Sequence, residues 1–181
     1  MINRLAISGC SYMEAYVEGN GHTDLAKTLN ISQCESFALS GSCNDSIIRA
    51  VLRDCFQTTC PTLYIVGLTF LHRYEIPIQS QTTHDGLWES CTGTPLNNIR
   101  DTWRQEITLK EYNTYAALRA HMFYLTESLE KTMYWILSAI HTVKSLGHKI
   151  VVFNTAESGV DNFLTQPRFQ MLKTPEIVGG Y

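Results

Sequence analysis

The chain has 181 residues, 44% of them hydrophobic and 17% charged, with a formal net charge of -3 at pH 7. This is ordinary globular composition, and the length suffices for one domain with a sizeable core. The slight acidity, without any cluster of Lys and Arg, leaves no electrostatic basis for binding nucleic acid or an anionic membrane, and no apolar run reaches the roughly 18 residues of a membrane span.

Met1-Ile2-Asn3-Arg4 leads straight into an apolar strand rather than into a cleavable apolar region, so no signal peptide is expected. The six cysteines include no Cys-x-x-Cys pair. That pattern predicts neither a metal site nor a disulfide framework, and fits a reducing, cytoplasmic setting.

In chain order, Leu5 to Ile7 is predicted as a short buried strand ending at Gly9 in a tight turn. Thr23-Asp24 is placed to cap a helix over Leu25 to Leu29. Ser36 to Leu39 reads as a second strand that runs into Ser40-Gly41-Ser42-Cys43-Asn44. After Asn44-Asp45-Ser46, the residues Ile47, Ile48, Val51, Leu52 and Cys55 recur at helical spacing and make one apolar stripe. Pro61 then opens Thr62 to Val66, a β-branched and apolar run of the kind buried on both faces of a sheet, which ends at Gly67-Leu68-Thr69.

From about 70 to 110 periodicity is lost, with Pro77, Gly86, Gly93 and Pro95 among many polar residues. An insertion of that length is read as a lid or a partner surface. Tyr115, Leu118, Met122, Leu125, Leu129, Met133, Ile136, Ile140 and Val143 step by three and four, predicting a long amphipathic helix closed by Gly147. Lys149 to Phe153 is the fourth strand, and 154–181 is irregular. Alternating strands and helices predict a single α/β domain over 1–181: a three-layer α/β/α, flavodoxin-like parallel sheet with right-handed crossovers and helices on both faces. In such folds, sites lie beyond the carboxyl ends of the strands.

Two strand ends carry small and hydroxyl residues. At the first, Ser11 stands where a sharp turn exposes a hydroxyl while its own N–H faces a developing oxyanion. At the second, Gly41 offers another N–H and the Asn44 amide a third donor. Each residue also has a structural reading: Ser11 ends a strand, Gly41 supplies a turn, and Asn44 caps a helix. His72 and Arg73 follow strand three directly; His72 suits proton transfer and Arg73 a bidentate anion contact, or the two belong to a solvated loop with a local Arg73–Glu75 pair. His121 and His141 fall within the long helix, where surface or core contacts explain them. His148 opens strand four, beside a helix end. Tyr12, Tyr16, Trp88 and Trp103 line a groove or pack loops. There is no Gly-x-Gly-x-x-Gly and no Walker loop, and no cofactor is expected.

The Gly9-Cys10-Ser11 turn, the Ala38-Leu39-Ser40-Gly41 segment and the strand-helix order over roughly residues 4 to 155 resemble the SGNH/GDSL hydrolases. The likeness is strongest to short, divergent members that begin Gly-Cys-Ser, some of them phage-encoded. It implies Ser11 as nucleophile, Gly41 as oxyanion-hole glycine, and a small ester, for instance an acetyl ester on carbohydrate, as substrate. The sequence departs from the family at three places. Gly67-Leu68-Thr69-Phe70 replaces the third block, Gly-x-Asn-Asp, so that Asn44 or Thr69 substitutes for its asparagine. No Asp-x-x-His occurs, since no histidine follows His148, and the C-terminal part reads as incomplete for the family. Cys10 stands where Asp is common.

General-base assistance is worth about 10² to 10⁴ in rate. The imidazole must then come from residues beyond Tyr181, from a second subunit, or from His72 or His84 (beside Asp85) in the insertion. A different reading takes the chain as a catalytically inactive scaffold that joins a protein assembly such as a virion through its insertion and long helix. A carbohydrate- or peptide-binding module using the same groove is a third.

Overall fold

The computed structural model describes residues 2–69, 74–77, 88–91, 114, 126–155 and 177–178. In chain order its elements are β1 (Arg4–Gly9), α1 (Ser11–Glu18), α2 (Gly21–Thr28), β2 (Gln33–Ser36), α3 (Asn44–Gln57), β3 (Thr62–Leu68), β4 (Tyr74–Pro77), β5 (Trp88–Cys91), α4 (Thr126–Ser145), β6 (Lys149–Asn154) and β7 (Ile177–Val178). Every position of β1 is buried, as expected of an apolar run flanked by strands on both sides. The sheet runs β2-β1-β3-β6, all parallel, and the two-residue β7 adds a further parallel pairing to β6.

Side chains alternate across a strand, and the two faces collect different helices. On one face Ala6, Tyr64, Val66, Ile150 and Val152 pack with Ile47, Ile48 and Val51 of α3 and with Met133, Ile136 and Ile140 of α4. On the other, Leu5 and Ile7 pack with Met13 of α1 and Ala26 of α2. Full burial of an Ile, Val or Met side chain contributes about 1.5–3 kcal/mol, so these stripes hold the helices on the sheet.

The expected strand at Ser36 to Leu39 is displaced toward the N-terminus: β2 occupies Gln33–Ser36. Phe37 and Leu39 still run beside β1, donating their N–H groups to the carbonyls of Ile7 at 2.7 Å and Gly9 at 3.0 Å. The displacement has a simple cause, because β2 is an edge strand with three exposed residues in four, and main-chain pairing there asks for no apolar side chains. α1 was not expected at all. α2 begins at Gly21, so Thr23 lies inside it, its hydroxyl bonded to the Asn20 carbonyl at 2.7 Å.

α4 ends as its sequence suggests. Gly147 adopts φ +83°, its N–H bonds to Lys144 O at 3.0 Å, and the His148 N–H bonds to Val143 O at 3.1 Å. This Schellman pair satisfies two terminal carbonyls. Residues 115–125 of the expected long helix lie outside the described residues. Within the expected insertion, β4 and β5 pair antiparallel. Among the described residues no helix is long and apolar enough to cross a membrane.

The amino edge of the sheet is closed by a charge cluster. The Arg4 side chain is 5% exposed and holds Asp54 of α3 through two bonds of 2.7 and 2.8 Å. It also bonds to Glu35 at 2.5 Å and to Thr62 Oγ1 at 3.3 Å. The Tyr64 hydroxyl donates to the same Asp54 carboxylate at 2.6 Å. Beside them the buried His148 accepts the Thr62 N–H on Nδ1 at 3.2 Å. The Asp54 bond holds the Arg4 guanidinium further above its usual range, against the opposing cost of burial. Burial first, and then the Asp54 hydrogen bond, push the Tyr64 phenol well above its usual value.

Candidate functional site

At the carboxyl edge β1 ends on Gly9, Cys10 is the N-cap of α1 with extended backbone, and Ser11 is the first helical residue. The helical ladder starts with the Met13 and Glu14 N–H groups, both 3.0 Å from Cys10 O. The N–H groups of Ser11 and Tyr12 precede that ladder and face out of the helix start, where the partial positive charge of the helix is concentrated. The sequence reading made Ser11 part of a turn. In the structure a helix N-terminus presents the same N–H.

Gly9 is required by packing. A Cβ on it would lie 2.3 Å from Met13 Cγ and 3.0 Å from the Gly67 carbonyl oxygen, and one on Gly67 would lie 2.5 Å from Met13 Cγ. The two glycines are register partners across β1 and β3. Met13 therefore lies against bare backbone of both strands, which draws α1 down onto the end of the sheet.

Gly41 has the opposite reason for being glycine. Among the described residues nothing stands within 4 Å of where its Cβ would lie, but its φ is +83°. It occupies the third position of a turn closed by Ser42 N–H to Leu39 O at 3.2 Å, where a type II turn demands that φ. Leu39 is also the residue whose N–H bonds to Gly9 O at 3.0 Å. Ser11 and Gly41 each lie two residues beyond this one hydrogen bond, so the two predicted oxyanion donors stand at the same edge.

Asn44 is buried, and it opens α3 without capping it; the N-cap is Cys43. Its Oδ1 accepts the Thr69 N–H at 2.8 Å and its Nδ2 donates to Thr69 O at 3.1 Å. The amide thus ties the end of β3 to the start of α3, and among the described residues its second amide hydrogen has no acceptor. Thr69 is fully buried, and its Oγ1 has no hydrogen-bond partner among the described residues. The edge is completed by Thr155, whose hydroxyl lies 2.5 Å from Leu68 O and 3.4 Å from Cys10 Sγ.

His72 and Arg73 lie outside the described residues, as do His84, Asp85, Trp103 and His121. The described histidines stand elsewhere: His22 on α2, His141 exposed on α4, and His148 at the amino edge. Tyr12, 55% exposed, stands next to Ser11, while the Tyr16 hydroxyl bonds to Gly21 O at 2.7 Å. The thiols of Cys34 and Cys55 are pushed up chiefly by burial. Among the described residues no three His, Cys, Asp or Glu side chains are arranged to hold a metal ion.

Sequence reasoning missed Met13, Thr155 and the Arg4 cluster. A glycine at the end of a buried strand with a methionine four residues on is the one local signal of the first. No known family model matches the chain, and no curated protein or solved structure matches it.

Proposed function

We propose that the chain is a serine ester hydrolase of the SGNH type, built on a three-layer, flavodoxin-like α/β/α scaffold, with Ser11 as nucleophile. The observation that carries this reading is the Leu39–Gly9 hydrogen bond. It brings a helix-start serine and a left-handed glycine to one rim, next to the point where the strand order reverses between β1 and β3, the usual ligand position in open α/β sheets.

In this reaction Ser11 Oγ attacks the ester carbonyl and its proton passes to the imidazole of His72. The carbonyl oxygen gains the negative charge and is held by the Ser11 and Gly41 N–H groups, with the spare Asn44 amide hydrogen as third donor. Collapse expels the alcohol, which takes the proton back, and water then releases the acid from Ser11 by the same steps reversed. Arg73 contacts the substrate, a small ester such as an acetyl group on carbohydrate, while Thr69, expected from the sequence to share that role, is fully buried and instead anchors Asn44 through its main chain. An oxyanion donor contributes about 10² to 10³ in rate and the base about 10² to 10⁴.

The test is labelling with a fluorophosphonate probe together with turnover of a short-chain aryl ester. Wild type should do both and Ser11→Ala neither. Turnover retained by Ser11→Ala would refute the assignment.

One observation favours a second reading. The last histidine in the sequence, His148, is engaged at the edge opposite Ser11, and a fold by itself guarantees no activity. On that reading the chain is a non-catalytic component of a protein assembly such as a virion. A large stable particle by light scattering, combined with absence of labelling, selects it; a labelled monomer excludes it. The hydrolase reading places the protein in the cytoplasm and the scaffold reading in the particle.

A further inference from the structure

We infer that Thr155 is a positioning residue for Ser11, acting through Cys10; this rests on the reading of Ser11 as the nucleophile. Thr155 follows β6 directly and touches both the end of β3 and Cys10, the residue after β1. Its N–H donates to Leu68 O at 3.0 Å, its hydroxyl lies 2.5 Å from the same oxygen, and Cys10 Sγ is 3.4 Å from that hydroxyl.

Proton bookkeeping orients the chain of bonds. A carbonyl oxygen can only accept, so the single hydroxyl proton of Thr155 points to Leu68. The contact with Cys10 is then S–H to Oγ1, with the thiol as donor. The relay runs from Cys10 through Thr155 to Leu68, from the end of β1 across the residue after β6 to the end of β3. Cys10 is thereby held at two points, its thiol by Thr155 and its carbonyl by the Met13 and Glu14 N–H groups. The peptide between them and Ser11 carries the Ser11 N–H, and its orientation follows.

A thiol is a weak donor, so its value lies in direction. A displacement of about 1 Å at a reacting group costs up to about 10²-fold in rate. The methyl of Thr155 has a separate task. It lies 2.6 Å from where a Gly67 Cβ would stand, packed over the same bare backbone as Met13. Hydroxyl and methyl can therefore be tested one at a time.

The experiment compares wild type, Thr155→Val, Thr155→Ser and Cys10→Ala by fluorophosphonate labelling rate, aryl-ester kcat and KM, and native-state amide exchange at Met13 and Glu14, whose N–H groups are bonded to the Cys10 carbonyl. Thr155→Val and Cys10→Ala should each lower the labelling rate and kcat by about tenfold with KM little changed, and their double variant should lose no more than either. Thr155→Ser should stay within about threefold of wild type. Exchange at Met13 and Glu14 should quicken in Thr155→Val relative to the α3 core. Labelling and exchange at wild-type levels in Thr155→Val overturn the inference, as does a Thr155→Ser variant as slow as Thr155→Val. A wild-type protein that is never labelled overturns the nucleophile assignment instead, and the exchange arm then still decides whether Thr155 orders the helix start.

Discussion

Removing the Asp54 carboxylate should be among the most damaging single changes available to this domain. Asp54→Ala deletes two charge-assisted bonds to Arg4, at 2.7 and 2.8 Å, and the acceptor of the Tyr64 hydroxyl at 2.6 Å. Bonds to charged groups contribute about 1.5–3 kcal/mol each and a neutral one about 1. Glu35 remains on Arg4, but its side chain is 56% exposed and compensates weakly. The net loss expected is about 3–5 kcal/mol, the range for breaking one side of a buried pair, against a total stability of about 5–15 kcal/mol for a domain of ordinary size. Urea unfolding followed by circular dichroism reads it as a lowered midpoint at constant slope. The triple variant Arg4→Met, Asp54→Leu and Tyr64→Phe should recover most of the loss, since apolar replacements leave neither a charge nor a hydroxyl buried alone. A loss below about 1 kcal/mol, the value of an exposed ion pair, would refute the reasoning.

Gly9→Ala forces a methyl to within 2.3 Å of Met13 Cγ and 3.0 Å of the Gly67 carbonyl; overpacking of this kind costs about 1–3 kcal/mol. A melting temperature unchanged from wild type would show that Met13 has another seat. Alkaline stability tests the phenol. Because the folded-state pKa of Tyr64 is raised, its contribution is whole below the usual phenol value of about 10 and declines above it, by up to about 1.4 kcal/mol per pH unit. Tyr64→Phe should thus lose roughly 1 kcal/mol less than wild type between pH 8 and pH 11, and parallel losses in the two proteins would contradict the burial assigned to that hydroxyl.

The central strands were legible because a strand covered on both faces must be a near-continuous apolar run, and Leu5 to Ile7, Thr62 to Val66 and Lys149 to Phe153 are such runs. β2 was misplaced for the converse reason: at an edge the backbone pairs whatever the side chains are, and Gln33, Glu35 and Ser36 are exposed. α1 stayed hidden because it has 8 residues and buries only Met13, too little for a periodic stripe. α3, with Asn44, Ile47, Ile48, Val51 and Cys55 buried, was plain.

At the site, Gly41 was legible as a turn glycine, since left-handed φ is a local demand. The clasp of Asn44 on Thr69 was not, because both partners on Thr69 are main-chain atoms 25 residues away. The Arg4 cluster was invisible for the same reason, spanning separations of 31, 50 and 58 residues.

The paired glycines have a consequence for reach. Along a helix axis each residue advances about 1.5 Å, so Ser11 stands roughly 3 Å further out than Met13, on the same short rod. Whatever lifts the thioether from its seat between Gly9 and Gly67 lifts the hydroxyl by a similar amount. The height of Ser11 above the sheet is therefore adjustable from position 13, by the volume of a side chain that lies against the strand backbone rather than at the rim.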